Sequence, residues 1–419
     1  MTQRGIPMPK RIGLLTGGGD APGQNVCLKA LVYGALDHGS EVIGIRKGWE
    51  GLLHFNPADP STHGENTMPL TKLRVRDIDR MAGAFLHSSR IDPGAVASAQ
   101  MPAFLRAPHS GAGQFDLTDH VKRAIGTLGL DALIVLGDRG ALQYAARLNQ
   151  EGVPIIGIPK TVHNDVNGSD YALGFSTALA RGVRFVQEMR AMAGSREEIA
   201  VIEVLGRTTG LTTMLISFLA GADRTLVPEV PFDPERLAEL LLEDKRRNPA
   251  NYAILVMSEA SALDPDKVSK YLPELSRLAN SRILAEAAQG SQQGLTPDAI
   301  VFELVQDLGS RVGGSGAVVT EMLENITKQR MLFQPLSYLI RTGEPDGQDL
   351  LGAMNFAMYA IRLFAQNKTG RLIAYRQGEN YADLPLGVVT EAAGNINVAD
   401  FYDAAGYCAK PEIIWAARV

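Results

Sequence analysis

The chain has 419 residues, 45% of them hydrophobic, and a formal net charge of -5. That length predicts two or three domains at roughly 150 residues each, and the mildly acidic balance gives no electrostatic reason to bind nucleic acid or an anionic membrane. Two cysteines, Cys27 and Cys408, make no disulfide framework or zinc site; no stretch reaches the roughly 18 apolar residues of a membrane span, and Met1 to Arg11 lacks a signal peptide's apolar core, so a soluble cytoplasmic protein is expected.

Ile12 to Leu15 is an apolar run ending in glycines, which predicts a buried strand and a tight loop over Thr16 to Asn25. Val26, Leu28, Leu31 and Val32 recur at helical spacing through Leu36, and Glu41 to Ile45 supplies the next strand of a βαβ start. Phe55 to Thr67 and Asp92 to Gln114 lack periodicity and read as irregular insertions, either lids and contact surfaces or filler. Leu117, Val121, Ile125 and Leu128 mark an amphipathic helix with Asp116 as its expected N-cap. Ala132 to Leu136, Val153 to Ile158, Ile199 to Leu205 and Tyr252 to Met257 follow as apolar strands, most of them separated by helical patterns. Continuous apolar strands alternating with helices predict an α/β, doubly wound, mostly parallel sheet. Ligands of such sheets sit at carboxyl ends of strands. The glycine loop, Asp138-Arg139 and His163 all fall there, which points to one shared cleft.

Gly17-Gly18-Gly19 lets backbone approach a phosphate closely, with loop and helix amides facing the anion. Three glycines alone fit a simple tight turn equally well. The larger block Gly18-Gly19-Asp20-Ala21-Pro22-Gly23 with Asn25 closely resembles the first motif of the phosphofructokinase family, and the resemblance places Gly18 beside the transferred phosphoryl group. Arg90, framed by Gly83, Phe85, Leu86 and Ser88, resembles the family's arginine that bridges donor phosphates, where a guanidinium stabilises charge spread over phosphoryl oxygens.

Two blocks depart from the family's pattern. Where its members hold the metal with an aspartate, this chain has Arg139, and Asp138 stands one position early. A carboxylate suits Mg2+, whereas a guanidinium cannot ligate; Arg139 reads as a phosphate-neutralising group or as a salt-bridged structural residue. In Lys160-Thr161-Val162-His163-Asn164-Asp165, His163 occupies the place of the aspartate that takes the sugar's proton, while Thr161, Asn164 and Asp165 match. Neutral imidazole can act as a base, and a positive Arg139 beside it would favour the neutral form. A hydrogen-bonded histidine in a cleft that no longer turns over is the equal alternative.

On the acceptor side, Glu203 to Arg207 resembles the family's Met-Gly-Arg motif with Leu205 for Met, and Val227 to Phe232 resembles the block whose glutamate, here Glu229, bonds sugar hydroxyls. Tyr338 and Arg341 resemble the contact to the sugar's 6-phosphate; alone, they read as core and surface. A phosphate arginine often lent by a neighbouring subunit falls near Glu198, with Arg196 two residues away and Lys328 and Arg330 as further basic candidates. Gly140 with Lys160 is the mixed pair of a group of longer ATP-dependent members, and glycine there leaves room for a nucleotide.

The resemblance runs from Arg11 to about Gly370 and implies two doubly wound α/β domains with a cleft between them. The phosphoryl-donor domain is expected over 1-173 plus about 343-395, and the sugar-phosphate domain over 174-342 plus about 396-419. The activity implied is phosphoryl transfer from ATP or pyrophosphate to fructose 6-phosphate or a related sugar phosphate. His163, Asp165, Thr161 and Arg207 would be catalytic; Gly18, Arg90, Asp138, Arg139, Gly140 and Lys160 would bind the donor. Thr161, Arg207, Glu229, Tyr338 and Arg341 would bind the acceptor, and Asp138 the Mg2+. A homo-oligomer, dimer or tetramer, is expected. The other reading is a catalytically silent homologue that binds sugar phosphate or regulates a partner, supported by Arg139 and His163.

Overall fold

Strand Arg11–Gly17 is buried along almost its whole length and lies near the middle of a seven-stranded sheet. In this computed structural model, which describes residues 11–106, 113–207, 209–273, 315–378, 380–391 and 397–413, the sheet order is Asn380–Pro385, Arg371–Arg376, Ile155–Pro159, Ala132–Gly137, Arg11–Gly17, Glu41–Ile45 and Thr67–Pro69. The four inner pairings are parallel, and the outermost pairing on each side is antiparallel. The run Ala132–Gly137 is buried at every residue, which explains why its sequence is continuously apolar instead of alternating. Helices Gln24–Asp37 and Gly347–Ala365 pack on each other, close enough that a Cβ at Gly34 would lie 3.0 Å from Ile361. On the other side, buried Trp49 donates its indole N–H to Ala141 O at 3.1 Å and meets Tyr144 edge-on.

A second, smaller sheet has the order Met331–Pro335, Ile199–Val204, Ala253–Ser258 and Arg224–Leu226, all parallel. Its two central strands are fully buried. Helices Leu211–Ala220, Pro234–Arg247 and Gly316–Thr327 accompany it. The chain accordingly divides into one unit of Met1–Ala178 with Arg341–Gly394 and another of Leu179–Ile340 with Asn395–Arg418. Each unit is α/β with parallel inner strands, as the apolar runs require.

Two local expectations change. The stretches read as irregular carry short elements: a 3-10 turn at Pro60–Thr62, capped by Asp59, helix His63–Asn66, and a two-residue pairing of Val96–Ala97 with Gln114–Phe115. Phe55 is buried in the main core of the seven-stranded unit and stacks on His63 with centroids 4.0 Å apart, whereas Val96 and Met101 join Leu53 and Leu117 in a small core of their own; residues 107–112 lie outside the described residues. Helix Thr118–Leu128 is preceded by Leu117 at the N-cap, and Asp116 accepts from Thr118 N at 3.0 Å instead of capping a later amide. Among the described residues no helix is long and apolar enough to cross a membrane.

Candidate functional site

The carboxyl ends of strands Arg11–Gly17, Ala132–Gly137 and Ile155–Pro159 deliver the glycine loop, Asp138 and Lys160 to one place. Gly18 has φ 80, a left-handed conformation that glycine adopts without penalty. Any side chain there would also collide with Asp138, whose carboxyl carbon lies 2.0 Å from the position of an added Cβ. Asp138 caps helix Arg139–Gln150 by accepting from Ala141 N at 3.1 Å, and its other oxygen accepts from Gly19 N at 3.3 Å. Segment Ser88-Ser89 clasps the loop from the other side, with Ser89 O taking Gly18 N at 2.9 Å and the Ser88 hydroxyl donating to Gly18 O.

Cations converge on this loop. Lys160 is fully buried and donates to Gly19 O at 2.5 Å. Burial pushes its ammonium down to about 8, while Asp138 and Asp20 pull the other way. A Cβ at Gly19 would lie 2.6 Å from Arg341 Nη1 and 3.1 Å from Arg90 Nη2, so both guanidiniums reach the loop. A buried ammonium and two guanidiniums thus concentrate positive charge at the glycine turn, whose Gly18 and Gly19 amides are already taken by Ser89 O and Asp138.

Arg341 is 7% exposed and belongs to the seven-stranded unit, whereas Tyr338 is 77% exposed and belongs to the other. The chain returns to the first unit at Arg341 and carries that side chain to the glycine loop. Arg341 Nη2 lies 2.9 Å from His163 Nε2. Arg341 is therefore a cation at hydrogen-bond distance from His163, a contact the sequence did not suggest. Among the described residues the buried Nε of Arg139 has no hydrogen-bond partner. Its charge is felt by Asp165.

Thr161 organises the loop after strand Ile155–Pro159: its hydroxyl donates to Asp165 at 3.0 Å and accepts from His163 N at 3.1 Å. Burial raises the Asp165 carboxyl above its ordinary range; Thr161 and Arg139 oppose that rise. At Gly140 a Cβ would meet only Asp138 Oδ1, at 3.9 Å, so the space before it is open.

A magnesium ion takes near-octahedral oxygen ligands, commonly one or two carboxylates completed by substrate phosphates. Asp138 meets that pattern singly, since each of its oxygens spends one lone pair on an amide and keeps another. The described residues hold no cluster of three or more metal-ligating side chains. Asp138 thus fits as a single carboxylate ligand to magnesium.

In the four-stranded unit the strand ends carry Glu203, Arg207 and Glu259. Glu203 is buried, accepts from Gly316 N at 2.6 Å, and is pushed up to about 7, chiefly by burial. Arg207, half exposed, donates to Glu259 at 3.3 Å. Glu229 instead spends both oxygens on Gly210 N, at 2.9 and 3.1 Å, and burial raises its carboxyl. The carboxylate facing Arg207 is Glu259, which the sequence reading missed. Its position immediately after strand Ala253–Ser258 was the available signal. Arg196 pairs with Glu198 at 3.0 Å, and Lys328 and Arg330 are exposed.

A family model described as Phosphofructokinase matches residues 11–364. The chain is 30% identical over 388 residues to the ATP-dependent 6-phosphofructokinase of Chloroflexus aurantiacus, covering 93% of this chain and 92% of that protein. It is 29% identical over 397 residues to the pyrophosphate--fructose 6-phosphate 1-phosphotransferase of Dictyoglomus thermophilum, covering 94% and 96%. Among solved structures, the pyrophosphate-dependent phosphofructokinase from Marinobacter aquaeolei superposes with a TM-score of 0.71 at 14% identity, covering 98% of this chain and 91% of that one; this likeness concerns the fold.

Proposed function

We propose that this chain, which belongs to the phosphofructokinase family, transfers a phosphoryl group from ATP or pyrophosphate to fructose 6-phosphate or a related sugar phosphate. The observation that carries the reading is the gathering of Arg90, Lys160 and Arg341 around the Gly18-Gly19 turn. Phosphoryl transfer depends on positioning and on neutralising charge over the phosphoryl oxygens, and those groups supply both. The seven-stranded unit is the donor side in this reading, and the four-stranded unit, with Arg207, Glu259 and Glu229, is the acceptor side.

His163 accepts the proton of the sugar hydroxyl as the new O–P bond forms. The donor's bridging P–O bond breaks, and its electron pair leaves with ADP or orthophosphate. Thr161 orients the loop through its bonds to His163 N and Asp165. Asp138 would hold Mg2+, which supplies charge neutralisation on the donor phosphates. The open space before Gly140 supports a nucleotide donor, while relatives of both donor types span more than nine-tenths of the chain. Those full-length relatives, named as enzymes, favour turnover over a silent binding role. A homo-oligomer and a cytoplasmic location belong to the same proposal, on the family resemblance.

The test is the purified chain with Mg2+, fructose 6-phosphate and, in turn, ATP, ADP and pyrophosphate, read by phosphorus NMR. Turnover with at least one donor, lowered about 100- to 10,000-fold in kcat by His163→Ala, is the expected outcome. Sugar-phosphate binding without turnover under any donor would reverse the preference and make the chain a silent homologue.

A further inference from the structure

We propose that Arg341 is an anion-released latch on His163, holding the ring's Nε2 lone pair in the free protein and yielding it when a substrate phosphate claims the guanidinium. The inference rests on the phosphotransferase reading above and adds a positioning residue to it. It begins from one contact, the 2.9 Å between Arg341 Nη2 and His163 Nε2. A guanidinium carries only donors and stays protonated across the working pH range. Nε2 must therefore be the acceptor, and the ring proton sits on Nδ1.

A ring held in this way cannot collect a proton at Nε2. Its lone pair is in use, and an imidazolium would bring a second cation against Arg341. The other charged groups gathered at these strand ends do not change that conclusion. Asp165 shares the histidine's loop and accepts from the Thr161 hydroxyl at 3.0 Å; burial raises its carboxyl, and Thr161 and Arg139 oppose that rise. Asp138 is engaged by the Gly19 and Ala141 amides. Lys160, Arg139 and Arg90 add positive charge.

The release is built into the same guanidinium. Its Nη1 stands over the glycine turn, 2.6 Å from where a Gly19 Cβ would be, with Arg90 Nη2 at 3.1 Å from that point. Phosphate oxygens arriving there form charge-assisted, often bidentate bonds to arginine, which outcompete a neutral ring nitrogen. Arg341 turns to the anion, and Nε2 becomes able to accept the sugar hydroxyl proton. A consequence follows for fidelity. The base stays blocked until phosphate is in place, which limits loss of the phosphoryl group to water.

The phosphate could come from acceptor or donor, and the experiment separates them. The full chain is labelled with 15N-histidine, and the His163 signals are assigned from their absence in His163→Gln. The free protein should show the Nδ1–H tautomer with Nε2 hydrogen-bonded. Fructose 6-phosphate and pyrophosphate, added in separate arms with calorimetry alongside, should shift the Nε2 signal to an unbonded position in at least one arm. In Arg341→Ala the signal should begin at that position and no longer respond, while KM for whichever compound moved the signal rises tenfold or more. An Nε2–H or doubly protonated ring in the free protein overturns the latch. Calorimetric binding of either compound in both arms with an unmoved His163 signal overturns it too, and leaves the phosphotransferase reading standing. Binding of neither compound overturns that reading and the latch with it.

Discussion

Asp349, in the seven-stranded unit, and Glu203, in the four-stranded unit, are both carboxyl groups cut off from water. Asp349 accepts from the Tyr171 hydroxyl, Gly174 N at 2.7 Å, Thr177 N at 2.8 Å and the Thr177 hydroxyl. Glu203 has the Gly316 amide and, at a distance, the like charge of Glu259. Burial raises both groups, but for Asp349 a full set of donors opposes the rise. Isolation from solvent is the same in the two places; the number of donors makes one carboxyl a structural clasp and leaves the other free to titrate near neutrality.

The largest expected effect breaks the clasp. Asp349→Ala strands four donors in a buried place and should cost about 3–5 kcal/mol, read as a lowered urea midpoint with unchanged slope. The next tests concern titration. Glu203 keeps its proton up to about pH 7 when folded, while an unfolded glutamate gives it up near 4.5. Between those values the folded chain binds more protons, so stability falls as pH rises, by up to roughly 3 kcal/mol. Glu203→Gln should flatten the urea midpoint against pH in that window.

Lys160 gives the opposite slope. Folded, it loses its proton near 8, whereas the unfolded side chain keeps it to about 10.5. The unfolded chain binds more protons between those values, and stability rises with pH there, again by up to roughly 3 kcal/mol. Lys160→Met should remove that rise and leave the Glu203 window untouched; an unchanged alkaline slope would mean that Lys160 is solvated. The smallest effect sharpens the contrast between tight and open positions. Gly140→Ala adds a methyl where only Asp138 Oδ1 lies within 4 Å, so stability should rise by about 0.5–1 kcal/mol on helix propensity alone, with pyrophosphate affinity unchanged in calorimetry.

Fold class was legible because buried parallel strands must be apolar along their whole length, and the runs at Ala132, Ile155, Ile199 and Ala253 are. The glycine loop, Asp138-Arg139 and His163 were legible at carboxyl ends of strands because each follows such a run, and parallel strands bring those ends together. Arg341 was not, because its location depends on where a chain that left one unit re-enters it, and no local pattern encodes that. The Arg207–Glu259 pair was missed for a related reason: its partners lie 52 positions apart and only sheet register brings them together. Asp116 shows the limit of local rules even at short range, since one extra residue before the helix moved the cap to Leu117.

The seven-stranded sheet is written in two installments. Strands Arg371–Arg376 and Asn380–Pro385, helix Gly347–Ala365 and the Asp349 clasp are translated after the whole of Leu179–Ile340. Until that later stretch has been made, strand Ile155–Pro159 lacks the neighbour it pairs with in the finished sheet, and Tyr171, Gly174 and Thr177 lack their acceptor. During that interval the growing protein presents unpaired backbone to its surroundings, and the interval lasts as long as the later unit takes to be made.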